Sequence, residues 1–318
     1  SLLGLIQTGD LSVDAGVDRQ VEGVLAYYDF DSKTITIIGR SDSADPVIAD
    51  STLLHELIHA HQDAAHDLTA FVSQFPGTAD SIATSQSLYE GEAQFHEWIY
   101  QIGLQHIALD ANDFESGLLR IQSGWEQRVL QDPSALIESL QGLPYNYGPL
   151  WIESLWRSGG TGAIQNRYAR PPQNLLEVLD SAWNVPLGKP DMVPFPIANV
   201  FAPDGASVDM NSQYVPIATD RLGSWTVYVA AHLFGDDGAA RQLSVGWHGD
   251  QIDVYRLDAG GYGGRWRVSF DSAEHAQTFA GLFGQSPNVH VRVSGVTAVA
   301  IVSDSADPEA WLYGPLTQ

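Results

Sequence analysis

Cysteine is absent from this sequence, so disulfide bonds cannot cross-link the fold and any metal site has to use other ligands. Long apolar runs are missing as well, and no stretch approaches the roughly eighteen residues that a membrane-spanning helix needs. We therefore expect no membrane-spanning segment. Hydrophobic residues still make up 44% of the 318-residue chain, which is enough to build a substantial core.

Basic residues are scarce in this acidic chain. It has 15 Lys and Arg residues against 39 Asp and Glu residues, a net charge of -24, and its lysines are Lys33 and Lys189. Nucleic acids and anionic membranes are bound through basic patches, so a nucleic-acid partner is not expected. The acidic residues form no Asp-x-Asp-x-Asp-Gly loop, so we expect no calcium site either.

Residues 1–200 predict a mainly helical domain with a short β-hairpin at its edge. Two β-rich runs at 24–28 and 34–38 flank a polar turn and predict the hairpin. Apolar residues at helical spacing predict one long helix over about 46–72 and a second over about 80–104. Further helices are expected at residues 114–131, 134–140 and 150–156.

Residues 201–318 predict a smaller α+β module. The proline-rich stretch 186–203 is expected to link it to the helical domain. Helices and strands then follow one another in an order that is typical of an α+β arrangement. The expected helices lie at 222–234, 239–247 and 273–283, and the expected strands at 252–257, 266–270, 289–293 and 298–302. The apolar faces of the helices expected at 222–234 and 273–283 need a surface to pack against. We therefore expect the module to pack on the helical domain, and the whole chain to be α+β.

The most specific motif is His55-Glu56-Leu57-Ile58-His59, which lies inside the first long helix. Residues four apart lie on one face of a helix, so His55 and His59 can bind the same ion. Zinc suits this pair, because catalytic zinc sites use three protein ligands and keep one position open. Glu56 flanks that face and is the expected general base, since a carboxylate there can take a proton from the attacking water.

The third ligand is expected on the second long helix, within Glu90-Gly91-Glu92-Ala93. Glu90 and Glu92 lie about 200° apart around a helix axis, so only one of them can face the ion. The small side chain of Ala93, three residues after Glu90, would let the two helices approach closely. We therefore expect His55, His59 and Glu90 to hold the metal, with Glu92 as the alternative third ligand.

The HExxH motif and the downstream Glu-x-x-Ala at residues 90–93 resemble the gluzincin group of zinc metallopeptidases. More of the chain resembles a set of bacterial predicted metallopeptidases, most of them secreted or lipid-anchored: residues 23–29, 53–63, 89–93, 143–148, 159–160, 170–172, 222–223 and 246–250. The resemblance implies a zincin-like fold over residues 1–200 and one zinc ion per chain. It also implies a peptide or protein substrate and an extracellular or cell-surface location.

Two positions bear on the catalytic machinery that this resemblance implies. Gluzincins often carry an aspartate four residues after the ligand glutamate, hydrogen-bonded to the first histidine. Here that position is Gln94, an amide that can accept the bond without a charge. The run Tyr145-Asn146-Tyr147-Gly148 is similar to the Tyr-x-x-Gly of aminopeptidase N and its relatives, whose tyrosine stabilises the oxyanion. That role falls on Tyr145, with Tyr147 as the competing candidate.

Two other functions stay open at this point. A zinc amidase that acts on a non-peptide substrate would use the same metal and the same base. A catalytically weak or inactive binding protein on a peptidase scaffold is the other possibility, and Gln94 supports it. A serine hydrolase is not expected, because the sequence has no Gly-x-Ser-x-Gly motif.

Overall fold

The computed structural model describes residues 26–38, 46–104, 111–132, 136–183, 217–234, 237–256, 262–286 and 289–303. Within these ranges many helices accompany two small sheets, so the chain is α+β, as the sequence predicts. None of the described helices is both long enough and apolar enough to cross a bilayer. The expected linker at 186–203 and the expected domain boundary after residue 200 lie outside the described residues.

The described helices are α1 (Pro46–His66), α2 (Leu68–Val72), α3 (Ala79–Leu104), α4 (Ala111–Gln131), α5 (Leu136–Asn146), α6 (Gly148–Ala169), α7 (Leu176–Trp183), α8 (Gly223–Phe234), α9 (Asp237–Gly246) and α10 (Ala273–Phe283). The described strands are β1 (Ala26–Asp29), β2 (Thr34–Ile37), β3 (Ala218–Asp220), β4 (Trp247–Arg256), β5 (Tyr262–Phe270), β6 (Val289–Ser294) and β7 (Thr297–Ser303). Most of the predicted elements agree with these bounds to within a few residues. Strands β4 and β5 begin earlier than the predicted positions 252 and 266.

The single helix predicted over residues 46–72 is in fact two helices. Helix α1 ends at His66, and Asp67 adopts a left-handed conformation with φ 50°. The Asp67 side chain then accepts a hydrogen bond from the backbone N–H of Ala70 at 3.1 Å and caps α2. Aspartate tolerates this conformation better than most residues and is a preferred helix cap, so the chain turns here although the apolar pattern continues.

Two of the predicted helices extend further than the sequence indicates. Helix α5 continues to Asn146, although Pro144 lies in its last turn. Helix α6 continues to Ala169 across a kink at Gly159 and Gly160, where Gly160 has φ 65°. A glycine adopts that angle without steric cost, so the helix can change direction there and resume.

The hairpin and the larger sheet are both antiparallel. Strand β1 pairs with β2, and the larger sheet has the order β3-β4-β5-β7-β6. Along β5, the alternate residues Trp266, Val268 and Phe270 are buried. They face α10, whose Phe279 and Phe283 meet the Trp266 ring at centroid distances of 5.5 and 5.7 Å. One face of the larger sheet therefore forms a core with α10.

The helical part of the chain is arranged around α3. This helix packs against α1 and also against α5 and α6. Its buried residues include Leu88, Ala93 and Phe95. Because α1 carries the HExxH motif and α3 carries Glu90, the packing of these two helices decides where the expected ligands meet.

Helix α8 joins the sheet to the helical part. Trp225 is fully buried and stacks on Trp125 of α4, with ring centroids 5.4 Å apart. Its indole N–H donates a hydrogen bond to the Ser139 hydroxyl of α5 at 2.8 Å. The Tyr228 hydroxyl donates to the buried carboxylate of Glu126. Residues of both parts thus belong to one hydrophobic cluster.

Hydrogen bonds from two backbone N–H groups and the buried side chain of Asp80 connect the start of α3 with the residues before α8. The backbone N–H of Ala79 donates to Asp220 Oδ1 at 2.9 Å, and that of Asp80 donates to the Arg221 carbonyl at 3.0 Å. The Asp80 side chain is buried, with Oδ2 3.5 Å from Arg221 Nε. Burial raises the pKa of Asp80 to about 7, against the attraction of Arg221 and together with the repulsion of Asp250.

Replacing Trp225 with Ala is expected to lower the free energy of unfolding by about 3–5 kcal/mol, because it leaves a large cavity in the core. Trp156, which is 45% exposed, provides the control. Its replacement with Ala should cost less than about 1 kcal/mol. Urea denaturation of both variants measures the difference. Equal losses would contradict the view that Trp225 anchors α8 to the helical part.

The Asp80 carboxyl predicts a pH dependence of stability. The pKa of this carboxyl is about 4 in the unfolded chain and about 7 in the fold. Its contribution is therefore present at low pH and is lost as the pH rises through this window. Asp80→Asn cannot ionise, so its free energy of unfolding should rise relative to wild type over the same window. Urea denaturation at several pH values tests this, and a constant difference would contradict it.

Candidate metal centre

The structure brings the two histidines of the HExxH motif and one carboxylate together. His55 and His59 lie one turn apart on α1, with ring centroids 4.7 Å from each other. The Nε2 atom of each imidazole lies 3.2 Å from Glu90 Oε2 on α3. One possible ligand atom from each residue lies within 4.8 Å of the others, so this group can bind a metal ion.

A close crossing of α3 and α6 helps to place this group. A Cβ atom at Gly91 would lie 2.7 Å from the carbonyl carbon of Gly148, so the two helices can only meet this closely with glycine there. The crossing brings the end of α5, including Tyr145, near Glu90. Ala93, which was expected to let α1 and α3 approach closely, is buried, whereas the close contact at Gly91 is made with α6.

The charges within the group fit a cation. Burial alone would lower the pKa of His55, but hydrogen bonds to Glu90 and Glu97 outweigh it and raise that pKa to about 9. Burial alone would raise the pKa of Glu90, but the hydrogen bonds from His55 and His59 lower it to about 2. The three side chains thus surround a position that favours positive charge. Two imidazoles and one carboxylate form the donor set of many transition-metal sites, so the residues present fit such an ion.

The residue that orients His55 is not the one that the sequence suggests. Gln94 was expected to accept a hydrogen bond from this imidazole, and that expectation is wrong. Glu97 Oε2 lies 3.2 Å from His55 Nδ1, and Gln94 donates to the same oxygen at 2.9 Å. The side chain that contacts His55 Nδ1 is therefore a carboxylate rather than an amide. Because Glu97 follows Glu90 by seven residues, the two lie on nearly the same face of α3, a helical spacing that could have revealed it.

Glu92 is not part of the group. It lies on the other side of α3 from Glu90, yet it is buried rather than exposed. Its Oε2 accepts hydrogen bonds from Gln62 Nε2 at 2.9 Å and from the Tyr168 hydroxyl at 2.6 Å. Gln62 Oε1 also contacts His59 Nδ1, so Glu92 is linked to the metal group through the Gln62 side chain.

Glu56 lies beside the metal group and is held by the hairpin. Its Oε2 accepts a hydrogen bond from the backbone N–H of Tyr28 in β1 at 2.7 Å. The Tyr28 hydroxyl donates to Asp63 Oδ2 at 2.8 Å, and Lys33 Nζ lies 2.6 Å from the same oxygen. Asp63 therefore anchors the hairpin, and the hairpin fixes one oxygen of Glu56. Tyr28 and Asp63 were not assigned to the site from the sequence.

The two candidate tyrosines lie in different environments. The Tyr145 ring stacks on that of His55, with centroids 6.4 Å apart, and 39% of the residue is exposed. Burial of its hydroxyl group and the proximity of Glu90 raise the pKa of Tyr145, so this hydroxyl stays protonated. Tyr147 is fully buried, and its hydroxyl donates to Glu126 at 2.9 Å. Only Tyr145 of the two therefore lies next to the metal group.

No family model, no curated protein and no solved structure matches this chain. The resemblance to gluzincins therefore rests on the motifs quoted above. The chemistry of the centre rests on the geometry of its side chains.

Replacing His59 or Glu90 with Ala is expected to abolish the binding of one divalent transition-metal ion per chain, because each change removes one of three ligands. Glu97→Gln should weaken binding about 10-fold, since it removes the charge that faces His55. Equilibrium dialysis followed by elemental analysis measures both effects.

The control for these variants is Glu153→Gln. Glu153 is also a buried carboxylate, but it lies on α6 and pairs with Arg157. Its replacement should leave the metal content unchanged. A Glu90→Ala variant that retained full metal binding would contradict the ligand assignment.

Proposed function

We propose that this protein is a zinc-dependent hydrolase, and more specifically a peptidase of the gluzincin type. The observation that carries the proposal is the convergence of His55, His59 and Glu90, with Glu56 beside the two histidines on α1. Two imidazoles and one carboxylate are the ligand set of several catalytic zinc sites, in which one position stays open for water or substrate. When bound there, zinc would polarise the scissile carbonyl group and make a water molecule more acidic.

Glu56 is the proposed general base. Its Oε2 is held by the Tyr28 N–H, so the orientation of the carboxylate is set before substrate binds. The other oxygen can then take a proton from the attacking water and later deliver it to the leaving amine. Because the strand that holds Glu56 belongs to the hairpin, the position of the base depends on the Asp63 anchor.

Tyr145 is the proposed donor to the oxyanion. Its raised pKa keeps the hydroxyl protonated, so it can donate a hydrogen bond to an oxygen that becomes negative in the transition state. The stacking on His55 places it on the edge of the metal group. Its partial exposure is compatible with contact to a substrate.

A peptide substrate is favoured by the hairpin beside the centre. Strand β1 lies next to Glu56, and a strand of this kind can pair with an extended peptide through backbone hydrogen bonds. The family resemblance supports the same substrate class and an extracellular or cell-surface location. A zinc amidase with a non-peptide substrate is the second candidate, since it would use the same side chains. The alternative of a catalytically inactive binding protein loses its main support, because Glu97 supplies the charge next to His55 that Gln94 lacks.

Glu56→Gln is expected to lower hydrolysis by about 10²–10⁴-fold, because an amide cannot accept the proton. Zinc binding should be unchanged, since Glu56 is not a ligand. Turnover of a mixed peptide library by zinc-loaded protein measures activity, and elemental analysis measures zinc. Undiminished hydrolysis by the variant would place the chemistry elsewhere. A wild-type protein that binds zinc and leaves every peptide intact would overturn the peptidase and leave the amidase and the inactive binding protein.

A further inference from the structure

Gln62 contacts the imidazole of His59 from the side opposite the metal group. It follows His59 by three residues on α1, and its Oε1 lies 2.9 Å from His59 Nδ1. The Gln62 side chain is buried, so water does not compete for these bonds. A terminal amide has one accepting end and one donating end, and its orientation follows from its partners.

The donating end of Gln62 is fixed by two acceptors. Gln62 Nε2 donates to the carbonyl oxygen of Tyr89 at 2.9 Å and to Glu92 Oε2 at 2.9 Å. A carbonyl oxygen can only accept, and a carboxylate is likewise an acceptor. If the amide turned over, two acceptors would face its oxygen without a proton between them. The amide nitrogen therefore belongs on this side, and the oxygen faces His59.

The orientation of Gln62 determines which nitrogen of His59 carries the proton. Because Gln62 Oε1 only accepts, His59 Nδ1 has to donate and therefore carries the hydrogen. A metal ion bound by His59 would take the place of the proton between Nε2 and Glu90 Oε2, so the lone pair that the ion needs is then on Nε2. That is the tautomer that a metal ligand requires.

We propose that Gln62 is a positioning residue that sets the tautomer of His59 for metal binding, with Glu92 as its anchor. Tyr168 holds Glu92 in turn, through a hydroxyl hydrogen bond of 2.6 Å. The proposal rests on the proposed zinc site and adds to it a chain of side chains that reaches from His59 to α6. It also explains why Glu92, which contacts no ligand directly, is buried beside the centre.

Gln62→Met tests the proposal, because methionine has a similar length and no amide. The expected result is a zinc dissociation constant about 10–100-fold higher than that of wild type, the range that is typical when such a partner of a ligating histidine is lost. Competition with a chelator of known affinity measures it. The visible spectrum of the cobalt-substituted variant should also change, because the His59 ring is no longer held in one orientation.

The matched control is Gln122→Met. Gln122 is also buried, and its amide donates to the carboxylate of Glu126, but this pair lies on α4 outside the metal group. Its replacement should disturb a similar amide–carboxylate pair and leave zinc affinity within about 2-fold of wild type. The comparison separates loss of positioning from a general loosening of the fold.

A second variant keeps the test valid if Gln62→Met does not fold. Glu92→Gln has nearly the same size, but it replaces the charged acceptor of the Gln62 amide by a neutral amide that can either accept or donate, so only the Tyr89 carbonyl still fixes the Gln62 orientation. Zinc affinity should fall in this variant as well. Wild-type affinity in the folded variants at positions 62 and 92, or an equal loss in Gln122→Met, would overturn the proposal. A wild-type protein that takes up no zinc would instead overturn the proposed function.

Discussion

A carboxylate can be buried against two imidazoles only if hydrogen-bond donors or a cation offset its charge, because unpaired buried charges are costly. In this protein the constraint falls on α1 and α3, which bring His55 and His59 to 3.2 Å from Glu90. Protons meet the requirement in the metal-free protein, as the raised pKa of His55 and the lowered pKa of Glu90 indicate. A divalent cation meets it as well, and the surrounding hydrogen bonds orient the rings toward such an ion.

Two neighbouring faces of helix α1 carry the side chains that form the metal group or contact it. His55, His59 and Gln62 follow one another at helical spacing, so they share the face that looks toward α3. Glu56 and Asp63, seven residues apart, share a neighbouring face, and both contact Tyr28 of the hairpin. One helix thus holds two candidate ligands, the proposed base and the groups that orient them. A shift of α1 would disturb all of these contacts together, which ties the chemistry to the packing of a single element.

The sequence allowed the three side chains that meet at the centre to be predicted, because helical periodicity is a local property. The pair His55 and His59 follows from its spacing, and Ala93 favours Glu90 over Glu92. The partner of His55 was predicted wrongly, because the resemblance pointed to the position four residues after Glu90, whereas the contact is made by Glu97, seven residues after it. Likewise, the sequence could not separate Tyr145 from Tyr147, since their environments depend on the Gly91–Gly148 crossing between distant parts of the chain. Local spacing predicts which residues share a face, but tertiary packing decides which atoms meet.

The centre also depends on residues far along the chain. The first turn of α3 is held by the segment before α8, through Ala79 with Asp220 and Asp80 with Arg221. Glu90 follows Asp80 by ten positions, or about 15 Å along the helix. A helix transmits a displacement of its start with little loss over that distance, so the segment before α8 helps to set the position of Glu90. The α8 helix is in turn fixed by Trp225 among the side chains of α4 and α5. The sheet part therefore acts as a structural support for the helix that supplies Glu90, the third candidate ligand.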